Sequence, residues 1–154
     1  GATRVQTEST SPGANADRKN LSVAEARSLC DRVLAEASAT QTQVVLTSGF
    51  RGFTRSADNR LTTGGGSDYL VATITSWFGN RSASVSTNRL DAEAIGKAVA
   101  KAEALARLAP ENPETMPRLG PQVYNGVEGY YSATGSLSPE PRAQAAAEAT
   151  RAPR

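Results

Sequence analysis

The sequence contains no histidine. That excludes His-based general acid/base chemistry, Ser-His-Asp and Cys-His nucleophile activation, and every zinc site built with an imidazole. It contains one cysteine, Cys30, so no intramolecular disulfide forms, which fits a reducing compartment. Aromatic residues make up 5% of the chain. No run approaches the ~18 consecutive apolar residues that a membrane-spanning helix needs. Charge of one sign is also lacking: 17 basic and 15 acidic residues leave +2. That balance exerts no long-range pull on nucleic acid or an anionic membrane. The start of the chain has no positive-then-apolar pattern of a signal peptide, so the expected location is cytoplasmic.

What is present suits one modest domain: 154 residues, 38% hydrophobic and 21% charged. Residues 1–20 are rich in Ser, Thr, Gly, Ala and charge without periodicity, and read as a disordered tail. Ser22 followed by Glu25 forms a capping box, and Ala26, Leu29, Cys30, Val33, Leu34 and Ala37 recur at helical spacing behind it. Cys30 lies on that stripe and reads as a small buried hydrophobe.

From Thr42 to Asn88 the pattern changes to strands. Val44–Leu46 forms a β-branched cluster, with a tight turn expected at Ser48-Gly49 and a second strand over Phe50–Ala57. Asp58-Asn59 signals a turn, Arg60–Thr63 a short strand, and Gly64-Gly65-Gly66 a flexible loop. Tyr69–Phe78 is the clearest strand, and Gly79-Asn80 suits a type II′ turn into Arg81–Asn88. Asp91 caps a second helix whose stripe is Ile95, Ala98, Val99, Ala102, Leu105 and Ala106, ended by Pro110. Six of the eight prolines fall between Pro110 and Pro141, which predicts an extended segment over 110–137. Val123, Tyr124, Val127, Tyr130 and Tyr131 are apolar enough to be expected to pack, and Ser138-Pro139-Glu140 opens a third helix.

Chemistry-bearing constellations are sparse. The triglycine is followed by Ser67-Asp68, not the Lys-Ser/Thr of a phosphate loop. Asp58, Asp68 and Asp91 are scattered, and turn and cap duties account for two of them. Arg51, Arg55, Arg60, Arg81 and Arg89 read as a solvated strand surface, since no exposed aromatics are expected among them. The segments best suited to face a partner or substrate are Gly64, Gly65, Gly66 and Asp68, and the hairpin Gly79-Asn80, by their glycine content and polar flanks.

An ordered series of segments resembles the amino-terminal domain of the TldD/PmbA family. It comprises Leu21–Ala26 through Arg32-Val33-Leu34, then Val44–Gly49, then Gly52-Phe53-Thr54-Arg55-Ser56-Ala57-Asp58-Asn59-Arg60-Leu61-Thr62-Thr63. Arg81–Asp91 and Ala102–Glu114 complete it, so that the resemblance covers roughly residues 21–147. Leu61 stands where the family's hairpin has isoleucine. The resemblance implies a two-domain subunit that dimerises, with itself or a homologous partner, around a cavity that handles unfolded peptides. It implies a zinc site on a histidine-bearing helix and a later cysteine. Neither maps onto this chain, and Cys30 is not equated with that ligand. The expectation is therefore an α+β fold: a twisted antiparallel sheet of about four or five strands, with helices over 22–37 and 91–109 packed on one face. The expected divisions are a tail at 1–20, the domain at 21–109, the irregular segment at 110–137 and a helix at 138–154 leading into a further domain. No catalytic, cofactor-binding or metal residue is expected here; zinc would belong to the further domain. The expected partners are the dimer subunit and unfolded peptide, with neither nucleic acid nor membrane. The alternative is a stand-alone α+β binding or scaffold domain unrelated to proteolysis.

Overall fold

A computed structural model describes residues 21–58, 60–117, 119–120, 122–123 and 125–151. The expected tail at 1–20 lies outside them, as do Asn59 of the first turn and Tyr124. The elements run α1 (Val23–Glu36), β1 (Gln41–Ala57), β2 (Arg60–Phe78), β3 (Arg81–Thr87), α2 (Ala92–Leu108), α3 (Ser132–Gly135) and α4 (Pro139–Ala149). The fold is α+β, with an open antiparallel sheet in the order β1-β2-β3. No described helix is long and apolar enough to cross a membrane.

The chain forms two compact units interleaved along its length. Leu21–Ser48 and Leu70–Gly126 belong to the first, and Gly49–Tyr69 with residues 127–151 to the second. The first unit holds the main core. Alternation along β2 turns Ala72 and Ile74 toward Leu29 and Val33 of α1 and toward Ile95, Ala98, Val99 and Ala102 of α2. Val44 and Leu46 of β1 and Val85 of β3 pack against the same cluster. Ile74, Val33, Ile95 and Ala102 are fully buried. Burying such aliphatic side chains stabilises the fold by about 1.5–3 kcal/mol each. Alanines at 98, 102 and 106 keep one stripe of α2 low, so its backbone can lie close to β3, the strand with which it makes its main contacts.

Both main helices begin as their caps dictate. The Glu25 amide donates to Ser22 Oγ at 3.2 Å, and the Ser22 amide donates back to Glu25 Oε2 at 2.8 Å. The Ala94 amide donates to Asp91 Oδ1 at 2.9 Å, which holds the Asp91 carboxyl below its ordinary range. One long-range carboxylate fixes the connection between α1 and β1. Glu103 of α2 accepts from the Ser38 amide and hydroxyl, and from the Ala39 amide at 2.9 Å. Burial pushes the Glu103 carboxyl up, but the bonds from Ser38 and Ala39 and the charge of Arg107 outweigh it and leave it below the usual range.

The strand count departs from the sequence reading. Four or five short strands were expected; the described residues contain three, of which β1 has 17 residues and β2 has 19. Ser48-Gly49 is not a turn and Gly64-Gly65-Gly66 is not a flexible loop, since both lie inside continuous strands. Aromatic rings from the neighbouring strand occupy the space above Gly49, Gly65 and Gly66. A Cβ added at Gly65 would sit 3.2 Å from the Phe53 ring, one at Gly49 would sit 2.7 Å from the Tyr69 hydroxyl, and one at Gly66 would collide with Phe50. Each ring covers backbone that a bare strand glycine would leave to water, so residues that ordinarily weaken a strand become docking points. The real turn falls at Asp58, whose φ of 51° is left-handed, a conformation Asp tolerates.

The later segment is also more open than expected. Val123 is 99% exposed, and Val127 and Tyr131 are exposed as well. A backbone broken by Pro and Gly has no period that could bring these side chains onto one face. Tyr130 does pack, with its hydroxyl where a Cβ on Gly135 would be. In α4, Pro139 stands in the first turn, but the Ser138 hydroxyl donates to Glu140 Oε2 at 2.9 Å and caps no backbone amide.

Two predictions follow from these contacts. Replacing a strand glycine with alanine ordinarily stabilises by about 0.4–1 kcal/mol through the unfolded chain. At Gly66 the clash with Phe50 reverses that sign, and Gly66→Ala is expected to cost about 1–2 kcal/mol in urea unfolding. In a cycle with Phe50→Ala the losses are non-additive; additive losses would show that the ring does not depend on the glycine. For Glu103, a carboxyl held below its ordinary range stabilises the fold above about pH 4.3 and loses that contribution as pH falls through the lowered value. Glu103→Gln is expected to cost about 1 kcal/mol at pH 7 through the lost charge-assisted bonds, with the gap to wild type narrowing as pH falls and the wild-type carboxylate is protonated.

Candidate functional site

Gly79 and Asn80 form the two-residue turn between β2 and β3. Gly79 has φ of 61°, Asn80 is not left-handed, and Phe78 pairs with Arg81 across the turn. That combination is type II′, as the sequence indicates. The turn is held by the carboxyl end of α2. Arg81 Nη1 donates to the Ala109 carbonyl at 2.6 Å, and its Nη2 lies 3.2 Å from Glu111 Oε1. The Arg107 guanidinium sits 3.7 Å from the centre of the Phe78 ring, and the Asn112 amide donates to the Asn80 carbonyl at 3.0 Å. A cation at the last carbonyls of α2 also complements the negative end of the helix dipole. The Asn80 backbone thus has a structural duty, while its side chain and Gly79 are exposed.

Beyond Asn112, Thr115, Met116 and Pro117 line one side of a shallow cavity of about 220 Å³ whose other side includes Gln41 and Trp77. No acidic or basic side chain lines it. It is smaller than the ~300–1,000 Å³ typical of small-molecule sites. A wider depression of about 450 Å³ beside α1 includes Glu25 and Arg32. Its Glu25 carboxylate is already engaged by Ser22.

Gly64, Gly65, Gly66 and Asp68 lie within β2 in the second unit, whereas Gly79 and Asn80 lie in the first. Gly65 and Gly66 serve the close approach of the Phe53 and Phe50 rings, Gly64 meets no ring, and Asp68 is exposed. Thr73 and Thr75 of β2 hydrogen-bond Ser86 and Ser84 of β3 at 2.9 and 2.7 Å. Ser84 and Ser86 are exposed on β3, and their hydroxyls partner the neighbouring strand.

Cys30 is half-buried, and burial, then Asp31, pushes its thiol up. A thiol so placed is a poor nucleophile at neutral pH. Among the described residues no group of three or more His, Cys, Asp or Glu could hold a metal. Without a histidine and with a single cysteine in α1, the residues present do not fit the zinc site that the family resemblance implies.

Sequence reasoning missed three functional arrangements. Arg81 was read as strand surface, yet it joins β3 to α2. Glu103 had no local signal, because its partners lie 64 and 65 residues away. The alternation Arg51-x-Phe53-x-Arg55 lay within the strand expected over Phe50–Ala57, but its arginines read as solvated surface because Phe53 was not expected to be exposed beside them.

Compared with known proteins, the chain matches no family model and no curated sequence.

Arg81→Met keeps most of the stem and removes both polar contacts. It is expected to cost about 1–2 kcal/mol and to speed hydrogen exchange at the Asn112 amide. Unchanged exchange at that amide would show that the turn holds the segment without Arg81.

Proposed function

We propose that the chain is the non-catalytic amino-terminal domain of a TldD/PmbA-like metallopeptidase, contributing to dimerisation and to a peptide-holding cavity. One observation carries the reading: the resembling segments occur in one order along α1, β1, β2, β3 and α2 in a chain without histidine. A domain of this kind can shape and position a substrate but supplies no general base, nucleophile or metal ligand set. Zinc chemistry would then belong to a further domain. The paired helices and sheet supply a rigid support, and Asp68 and Asn80 are the exposed side chains within the two segments assigned to substrate or partner. The polar flanks of these segments suit hydrogen bonding to peptide backbone better than covalent chemistry.

The test begins with the parent reading frame and the metal content and peptide processing of its purified product. A longer chain that binds zinc and cleaves unfolded peptide is the expected result; a longer metal-free chain would be the partner subunit of such a peptidase. A frame confined to these residues would overturn the reading in favour of a stand-alone binding or scaffold domain. Within the full-length protein, Asp68→Ala and Asn80→Ala are each expected to slow peptide processing or weaken dimerisation. If both leave the two activities unchanged, these segments face neither substrate nor partner.

A further inference from the structure

In the second unit, β1 and β2 continue as a two-stranded arm with unlike faces. Phe50, Gly52 and Gly66 share the even-numbered face, and Arg142 of α4 lies where a Cβ on Gly52 would be. The odd-numbered face carries Arg51, Phe53 and Arg55 from β1, with Leu61 and Tyr69 from β2. Phe53 is 49% and Tyr69 41% exposed, although the two rings lie over Gly65 and Gly49. Each ring therefore covers neighbouring backbone with one side and leaves the other to solvent. The Arg51 and Arg55 guanidinium groups are exposed and make no hydrogen bond or ion pair among the described residues; only the Arg55 backbone carbonyl is engaged, accepting from Thr62 Oγ1 at 3.2 Å. Asp68 is even-numbered and Asp58 sits at the turn, so the odd face carries two positive charges and no negative one.

We propose that this face docks an extended peptide with acidic side chains at i and i+4 and an aromatic or apolar side chain at i+2. The peptide class rests on the peptide-holding reading above; the acidic selectivity rests on the face itself. An extended peptide repeats its same-face side chains about every 6.6 Å, the same period as Arg51, Phe53 and Arg55 in the strand beneath it. Two carboxylates would meet the two guanidinium groups, for which Arg suits planar, bidentate pairing. The side chain between them would stack on the Phe53 ring, which Gly65 lets lie low. A single-stranded nucleic acid carries a charge at every nucleotide and requires a longer basic track than two arginines offer.

The experiment is fluorescence anisotropy at low ionic strength on the whole 154-residue chain. The probe is a short labelled peptide with glutamates four positions apart, a phenylalanine midway and serines elsewhere. Its control carries glutamines in place of the glutamates. The acidic peptide should bind about fivefold more tightly, the sum of two exposed ion pairs. Arg51→Gln combined with Arg55→Gln should abolish that preference. Phe53→Ala should weaken both peptides and keep their ratio, and Arg142→Gln on the opposite face should leave the ratio intact. Equal binding of the two peptides, no binding of either, or equally effective competition by an oligothymidylate would each overturn the proposal. Binding without acidic preference overturns this proposal alone and leaves the domain reading in place. Failure of the full-length protein to process peptide overturns that reading, while the acidic preference measured on this chain stands or falls by its own result.

Discussion

Burial of one apolar layer between α2 and the sheet is the constraint that the first unit obeys. Ala72 and Ile74 can be covered only if α2 comes close, and α2 comes close only because its buried stripe is punctuated by Ala98, Ala102 and Ala106. Bulkier residues there would lift the helix and expose Ile74, Ile95 and Val99 together. Contacts around the rim then hold the layer in register. Glu103 ties α2 to the turn before β1, and Arg81 ties the start of β3 to the carboxyl end of the same helix. Neither would be worth much on an isolated helix; each becomes specific because the apolar layer has already placed its partner.

The second unit meets a different problem. Its strands carry few aliphatic side chains, so they cannot be held by a core of the same kind. Glycine and aromatic residues take over: Phe53 over Gly65, Phe50 against Gly66, and Tyr69 over Gly49. The side chains come from one strand and the vacancy from the other. A ring lowered onto glycine buries surface without needing a second layer above it, and so Phe53 and Tyr69 remain available on an open face. The same device lengthens the strands and leaves an exposed aromatic face.

Most of the polar chemistry described is structural. Carboxylates serve as caps and ties, the one thiol is pushed toward its neutral form, and hydroxyls on β2 and β3 are paired with each other. Among the unengaged side chains of the described residues are two arginines and the exposed faces of two aromatics on one face of the second unit. A peptide-holding domain of the kind proposed would use side chains placed in this way.

The sequence by itself determined the two main helices, the type II′ turn and the absence of histidine chemistry, because each depends on composition or on residues a few positions apart; the short α3 fell inside the segment expected to be extended and was not foreseen. Ser22 and Glu25 close one turn of helix, and Gly79 supplies its own φ; no distant partner is required. Whether Gly49, Gly65 and Gly66 break a strand or seat a ring was not legible locally, since the answer lies on the neighbouring strand. Glu103 and Arg81 belong to the same class, with partners far along the chain. Tertiary structure also decided which arginines are spent and which are free. Arg81 is consumed by the end of α2, whereas Arg51 and Arg55 face outward around Phe53, a difference set by which side of each strand meets another element.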